Sequence, residues 1–408
     1  MGIPTQGTAG NAASWTPPTD VERALFEAKS RGDWDGYLRV LLGAGAFAYA
    51  RREKVKKLTT TWLPCQAADG REYFAVYTRG ELLPRRPDVV ACDISLPLAP
   101  EEWWGEELRG LLVNPGTPTE AFFPDARRKR RHWKALKKDV PDRGHDDDAL
   151  VTRYDGPLHG PLAHGLACGT HLAVHNQVVW NEVGDVYKDF REDTEILRDS
   201  WGTTDRVEWT GQLTYLLEGR NSPAEPEFAL WVREQLVRQQ PGAHTDPQVW
   251  QQVAAGTLQE RGAPRETAEV VEGLIRQIVR YESRFRADGL LPPDGYVTSA
   301  LGYDYGRAVN YARWGVGARF AEPAEAEQAI VRAGELCQET YTSWEDFSAG
   351  YILGRALRFD EESFGHMYSS ALSPHRILTT DPGSPWRHLP FQATGPGGPG
   401  GLGDGMAG

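Results

Sequence analysis

The stretch Leu301-Gly302-Tyr303-Asp304-Tyr305-Gly306-Arg307-Ala308-Val309-Asn310-Tyr311-Ala312-Arg313-Trp314-Gly315-Val316 carries the most information about the fold. On a 3.6-residue wheel, Leu301, Tyr305, Ala308, Val309, Ala312 and Val316 share one face. That spacing predicts an amphipathic helix. Asp304, Arg307, Tyr311 and Trp314 form a second stripe along its flank, with Asp304 and Arg307 three apart and able to pair.

Downstream, Glu322-Pro323 opens another helix, with Pro at a tolerated first-turn position. Its buried stripe is predicted as Ala326, Ile330, Ala333 and Cys337. Ser343-Trp344-Glu345-Asp346 then fits a capping box ahead of Phe347, Tyr351 and Gly354. Gly350 and Gly354 lie one turn apart and leave a bare patch for the backbone of another helix. Upstream the style is the same. Leu172–Tyr187 has apolar residues at helical spacing. Trp201-Gly202 ends one helix, and Thr204 or Asp205 caps the next, Val207–Leu217, which stops at Gly219. Phe228–Val237 and Ala268–Phe285 continue the series.

The N-terminal part reads differently. Asp20 is a plausible N-cap for a helix to Lys29, and a second helix fits Trp34 to Ala44. Thr59–Gln66 reads as a strand, Asp69-Gly70 as a hairpin turn and Glu72–Thr78 as the partner strand. Tyr73, Ala75 and Tyr77 alternate with Phe74 and Val76, consistent with both faces being covered. Val89–Ile94 and Gly110–Val113 are further strands, and Asn114-Pro115-Gly116 is a turn.

The expected fold class is therefore an α+β N-terminal module plus a mainly α-helical C-terminal domain. Residues 1–17 and the Gly/Pro-rich tail 393–408 are expected to be disordered. Residues 18–124 form the first domain, 125–157 a charged linker, and 158–392 the helical domain. The linker holds eight Lys/Arg within 127–138, with room for a short basic helix around Trp133.

Two family resemblances follow from these residues. The two-helix start, the strand through Leu63-Pro64, the Asp69-Gly70 hairpin and the closing Leu112-Val113-Asn114-Pro115-Gly116 resemble the SseB N-terminal domain family. That resemblance implies a small module without an established catalytic site, recurring beside bacterial secretion and toxin-related genes. The second resemblance has three ordered motifs. They are Ser200-Trp201-Gly202 with Asp205-Arg206, then Tyr303 to Asn310 followed by Ala312-Arg313-Trp314-Gly315, then Ser343-Trp344-Glu345 with Gly354-Arg355. Together they resemble the domain-of-unknown-function 1266 family, with Tyr303 standing where many members have Trp. It implies a bacterial, mostly helical domain with no assigned activity.

Composition narrows the function classes. Among 408 residues, 45 are Lys or Arg and 57 are Asp or Glu, a formal charge of −12. An acidic surface repels a phosphate backbone, which weighs against nucleic acid as a partner. The basic run at 127–138 reads as a solvated linker, with contact to nucleic acid or anionic lipid by counterion release as the alternative. No run of eighteen apolar residues occurs, so no membrane span is expected. The scattered Cys65, Cys92, Cys168 and Cys337 suit a reducing cytoplasm. His171 and His175 are four apart, but no Glu follows His171, so no metal is expected. No cofactor and no catalytic residue stand out.

The residues proposed to bind a ligand or partner are Asp304, Arg307, Tyr311, Trp314 and Arg355. A guanidinium grips carboxylates or phosphates, and a neighbouring aromatic stacks on a planar group. The competing reading is a buried Asp–Arg pair that orients helices, with Arg355 and Arg313 as alternative partners. The expected function is a non-enzymatic protein-binding module associated with secretion or toxin–immunity systems, with an unknown protein partner. The alternative is an enzyme or small-molecule sensor using the Asp/Arg/Tyr site.

Overall fold

A computed structural model describes residues 3–4, 15–55, 60–66, 72–94, 110–124, 130–140, 148–184, 187–239 and 246–392. The Asp69-Gly70 hairpin, most of the 1–17 segment and the 393–408 tail lie outside these residues. The chain forms two compact units. The first comprises Met1–Thr214 with Ala308–Ile330, and the second Tyr215–Arg307 with Val331–Gly408. The helical residues after 158 thus contribute to both units.

In the first unit, helices Asp20–Ser30 and Trp34–Ala44 open the fold. Thr19, one residue before the expected cap, is extended and accepts from the Val21 N–H. Asp33 caps the second helix through Gly36 N. Glu72–Val76 pairs antiparallel with Cys65–Gln66 and parallel with Leu111–Val113, which pairs antiparallel with Ala121–Phe123. Ala46–Arg51 and Val89–Ile94 form a separate antiparallel ribbon, in register from Ala46 opposite Ile94 to Arg51 opposite Val89.

The period-2 alternation sorts these strands into two cores. Phe74, Val76, Leu111, Val113, Ala46 and Ala48 pack with Leu25, Leu38 and Leu41 of the helices. Tyr73, Ala75, Tyr77, Phe47, Tyr49 and Leu112 form the second cluster. Both faces of the sheet are covered, as the alternation implied.

Three readings need correction here. Helix Arg130–Asp139 falls inside the stretch read as a charged linker. Its Trp133 and Leu136 are buried in the core beneath the first two helices, so this part belongs to the first unit. The segment Leu172–Tyr187 is not one helix. Helices Gly160–Cys168 and Thr170–His175 end at Asn176, Gln177 turns with a φ of 54°, and Val179 bridges to Val151. Apolar spacing continued beyond the helix because the following extended chain is also buried. Gly350 and Gly354 do open a bare patch, but it receives the carbonyls of Ser299 and Ala300, which lie ahead of the next helix rather than within one.

The second unit is helical. Ala224–Gln239, Pro247–Glu260 and Arg265–Ala287 are packed together, with Trp250 donating through Nε1 to the Ala229 carbonyl at 2.7 Å. Long apolar spacing on Arg265–Ala287 buries Val271, Ile275, Ile278 and Phe285. Trp344–Phe359 and His366–Thr380 follow. Ser343 caps the former by accepting from Asp346 N at 3.1 Å. The Asp346 carboxylate completes the cap at Thr342 N, one residue earlier than a capping box requires. Among the described residues no helix is long and apolar enough to cross a membrane.

Candidate functional site

Helix Gly302–Gly317 departs most from the amphipathic expectation, because every residue in it is buried. A helix buried on all sides must satisfy each polar side chain internally. Its polar residues fall at every third position: Asp304, Arg307, Asn310 and Arg313.

Gly302 to Arg307 belong to the second unit. Asp304 is fully buried and accepts from Ser222 twice, from Oγ at 2.7 Å and from the backbone N–H at 3.0 Å. Arg307 pairs with the same carboxylate through Nη2. Its Nε donates to the Tyr303 carbonyl at 3.2 Å, and its guanidinium lies 3.9 Å from the Tyr303 ring centroid. Tyr303 in turn meets Tyr351 edge-on, with centroids 5.3 Å apart. The Asp304–Arg307 pair expected from spacing is formed, and its oxygens and nitrogens are turned inward.

Ala308 to Gly317 belong to the first unit. Tyr311 pairs with the Thr203 hydroxyl at 2.8 Å and lies 4.8 Å from Trp201. Burial pushes its phenol up to about 12. Trp314 packs edge-on against Tyr187, and Trp201 lies 6.3 Å away. Asn310 donates to the Gly169 carbonyl and accepts from the Tyr187 hydroxyl at 2.7 Å. Arg313 donates through Nη2 to the Val179 carbonyl and stacks 4.4 Å from the Tyr187 centroid. Its Nε and Nη1 have no hydrogen-bond partner among the described residues. Burial holds the Arg313 guanidinium below its ordinary value.

The five residues singled out in sequence thus fall into three groups. Asp304 and Arg307 are together in the second unit. Tyr311 and Trp314 join Trp201 in the first. Arg355 stands apart, donating to the Met367 carbonyl and the Ser370 hydroxyl at 3.2 and 2.9 Å. Asn310 and Arg313 stood outside those five, although the three-residue steps from Arg307 to Asn310 and on to Arg313 were a usable signal.

Beside the Asp304–Ser222 pair is a cavity of about 200 Å3 in the second unit. Its wall is mostly apolar: Pro226 near the start of helix Ala224–Gln239, Val270 and Leu274 on helix Arg265–Ala287, Leu301, and Leu357 one turn from Gly354. Gly354 leaves room for Ala300, since a Cβ there would come 2.6 Å from the Ala300 carbonyl. Glu227 borders the cavity and accepts from Ser299 Oγ at 2.9 Å and from Ala300 N. Burial raises its carboxyl above the usual range, while these two hydrogen bonds act against the rise. Arg358 stands exposed at the cavity, its Nη1 on the Asn221 carbonyl at 3.0 Å. Arg358 lies far in sequence from Ser222 and Glu227, and no local pattern joined the three.

This unit also brings a serine hydroxyl against an imidazole. Ser348 Oγ is 2.8 Å from His375 Nδ1. Both residues are buried, Ser348 completely, so the hydroxyl offers no approach to a substrate. The histidines first weighed as ligands are separately engaged: His175 pairs with Asp148 at 3.0 Å, and His171 is buried. Among the described residues no group of three or more metal-ligating side chains converges.

Residues 196–391 match the model of a family described as a protein of unknown function (DUF1266). The matched stretch contains all three Trp-bearing motifs, the whole of helix Gly302–Gly317 and every residue lining the cavity. No curated protein and no solved structure matches the chain.

Proposed function

We propose that this protein acts by binding a protein partner, and that the cavity beside Ser222 receives an apolar side chain of that partner. The observation that carries the reading is the size and lining of the cavity. Sites that enclose a cofactor-sized molecule span roughly 300–1,000 Å3. A space of about 200 Å3 is smaller and suits one apolar group. Interfaces draw most of their energy from such desolvated anchor pockets. The buried Asp304–Arg307 pair supports the same reading, because its polar atoms are spent on Ser222 and Tyr303. The likeness of residues 20–124 to SseB N-terminal modules supports a place in secretion or toxin–immunity systems.

Leu357→Trp, which fills the cavity from its wall, tests the proposal. Wild-type and variant chains would be used as bait in lysate of the native organism, after circular dichroism and melting confirm that both fold. A partner recovered by the wild type and reduced at least about tenfold by the variant is the expected result, as for loss of an anchor contact. Equal recovery by both baits, or no reproducible partner, would overturn it.

A further inference from the structure

Helix Arg130–Asp139 of the first unit has a face that the fold does not use. Trp133 and Leu136 fix its inner side in the core. On a 3.6-residue wheel Arg131, Lys134 and Lys138 lie within about 60° of one another, on the side away from Trp133 and Leu136. All three are exposed, and none has a hydrogen bond or ion pair among the described residues. The neighbouring basic side chains are engaged. His132 Nε2 is 2.9 Å from Asp35 Oδ1, and Lys137 donates to the Leu42 carbonyl at 3.3 Å. On the adjoining helix, Asp35 is thus taken and Arg39 is exposed. The helix's own exposed carboxylate, Asp139, stands about 80° or more round from the three cations.

Stability does not account for this stripe. Like charges three and four apart on a helix repel. Lys138, in the last turn, complements the helix dipole, but Arg131 in the first turn opposes it. An unpaired cationic stripe on a docked helix fits an anionic partner. A bilayer is a poor match, because Trp133 and Leu136 are spent on the core and leave no apolar face to insert. A duplex is a poor match for another reason. It carries a charge about every 1.7 Å of axis, so its phosphates run past a stripe only about 10 Å long, toward a chain of net charge −12. A short acidic peptide segment meets the stripe alone.

We propose that Arg131, Lys134 and Lys138 form a docking face for an acidic segment of a protein partner. The stripe belongs to the first unit and the cavity to the second, so this surface is additional to the anchor pocket and is tested separately.

Isotope-labelled full-length protein would be titrated with acetyl-Glu-Ala-Glu-Ala-Glu-amide at physiological salt, and separately with the forms carrying Gln or Lys in place of Glu. The expected result is saturable shifts of the backbone N–H signals of Arg131, Lys134 and Lys138, weakening as salt is raised. The Glu peptide should bind at least about tenfold more tightly than the Gln form, the scale of three exposed ion pairs. The combined Arg131→Glu, Lys134→Glu and Lys138→Glu variant should lose the Glu peptide and gain the Lys peptide. If that variant fails to melt cooperatively, the combined change of the three residues to Gln reads the same loss. Equal binding of the Glu and Gln peptides, absence of shifts, or undiminished binding by the variant would overturn the proposal and leave the cavity reading standing. Duplex DNA or phosphatidylglycerol vesicles shifting the same signals at lower anion concentration than the Glu peptide would overturn the acidic protein segment in favour of nucleic acid or lipid.

Discussion

His375 shows how burial sets the behaviour of a single side chain. Its ring is held neutral against Ser348, and burial pushes its pKa down to about 4. In the unfolded chain a histidine titrates near 6.5. Between these values the unfolded state binds the extra proton, so stability rises with pH across that window. The contribution is complete above pH 6.5 and is lost as pH falls through 4. By pH 4 the loss amounts to about 3 kcal/mol. Urea melts of the wild type and His375→Phe at pH 7 and pH 4 should therefore differ, with the wild type losing about that much more on acidification. Equal losses would show that this histidine does not drive the pH response. At the same scale, Asp304 and Arg307 could be named from spacing, since three residues apart on a helix places them side by side. Their partner Ser222 lies 82 positions away from Asp304, a distance that only folding closes.

Elements were legible where local chemistry dominates. Trp34–Ala44, the Ser343 cap and the Gly202 stop follow from capping preference and from the freedom of glycine at positive φ. The buried stripe Ala326, Ile330, Ala333 and Cys337 lies where the 3.6-residue period put it. Helix Gly302–Gly317 was legible as a helix but not as a fully buried one. Its second stripe carries Asp, Arg, Tyr and Trp, which read as a surface until other helices cover them. On Trp344–Phe359, Gly350 shows what close approach demands. A Cβ there would meet the Ser299 carbonyl and come 2.5 Å from the Tyr341 hydroxyl, which itself accepts from Gly302 N. Tyr341 is fully enclosed and cannot yield cheaply. Gly350→Ala should thus destabilise the protein by about 1–3 kcal/mol, the range for overpacking a filled core. Gly256, where a Cβ has open space, is the control: Gly256→Ala should be neutral or slightly stabilising in the same chemical melt.

At the scale of the whole chain, the basic run is the clearest case of position overriding composition. Like charges at 127–138 argued for solvent, yet helix Arg130–Asp139 puts Trp133 at zero exposure under the first two helices. Arg131, Lys134 and Lys138 are exposed, while His132 reaches Asp35 and Lys137 the Leu42 carbonyl. Trp133→Ala should cost about 3–5 kcal/mol, as a large core truncation does. A tether would tolerate the same change within about 0.5 kcal/mol. Denaturant melts followed by far-UV circular dichroism separate the two outcomes.

By itself the sequence determined the α+β beginning, the helical remainder, most helix ends and the three Trp-bearing motifs that the family match contains. Those features depend on backbone preference and on periodicity within a few turns, and both are written locally. Tertiary structure alone decided that Tyr311 and Trp314 are core residues, that Arg355 turns to Ser370, and that Ser222, Glu227 and Arg358 border one cavity. Each of these depends on which segments meet across long stretches of chain. That choice reflects the burial of whole faces, and no short window of residues records it.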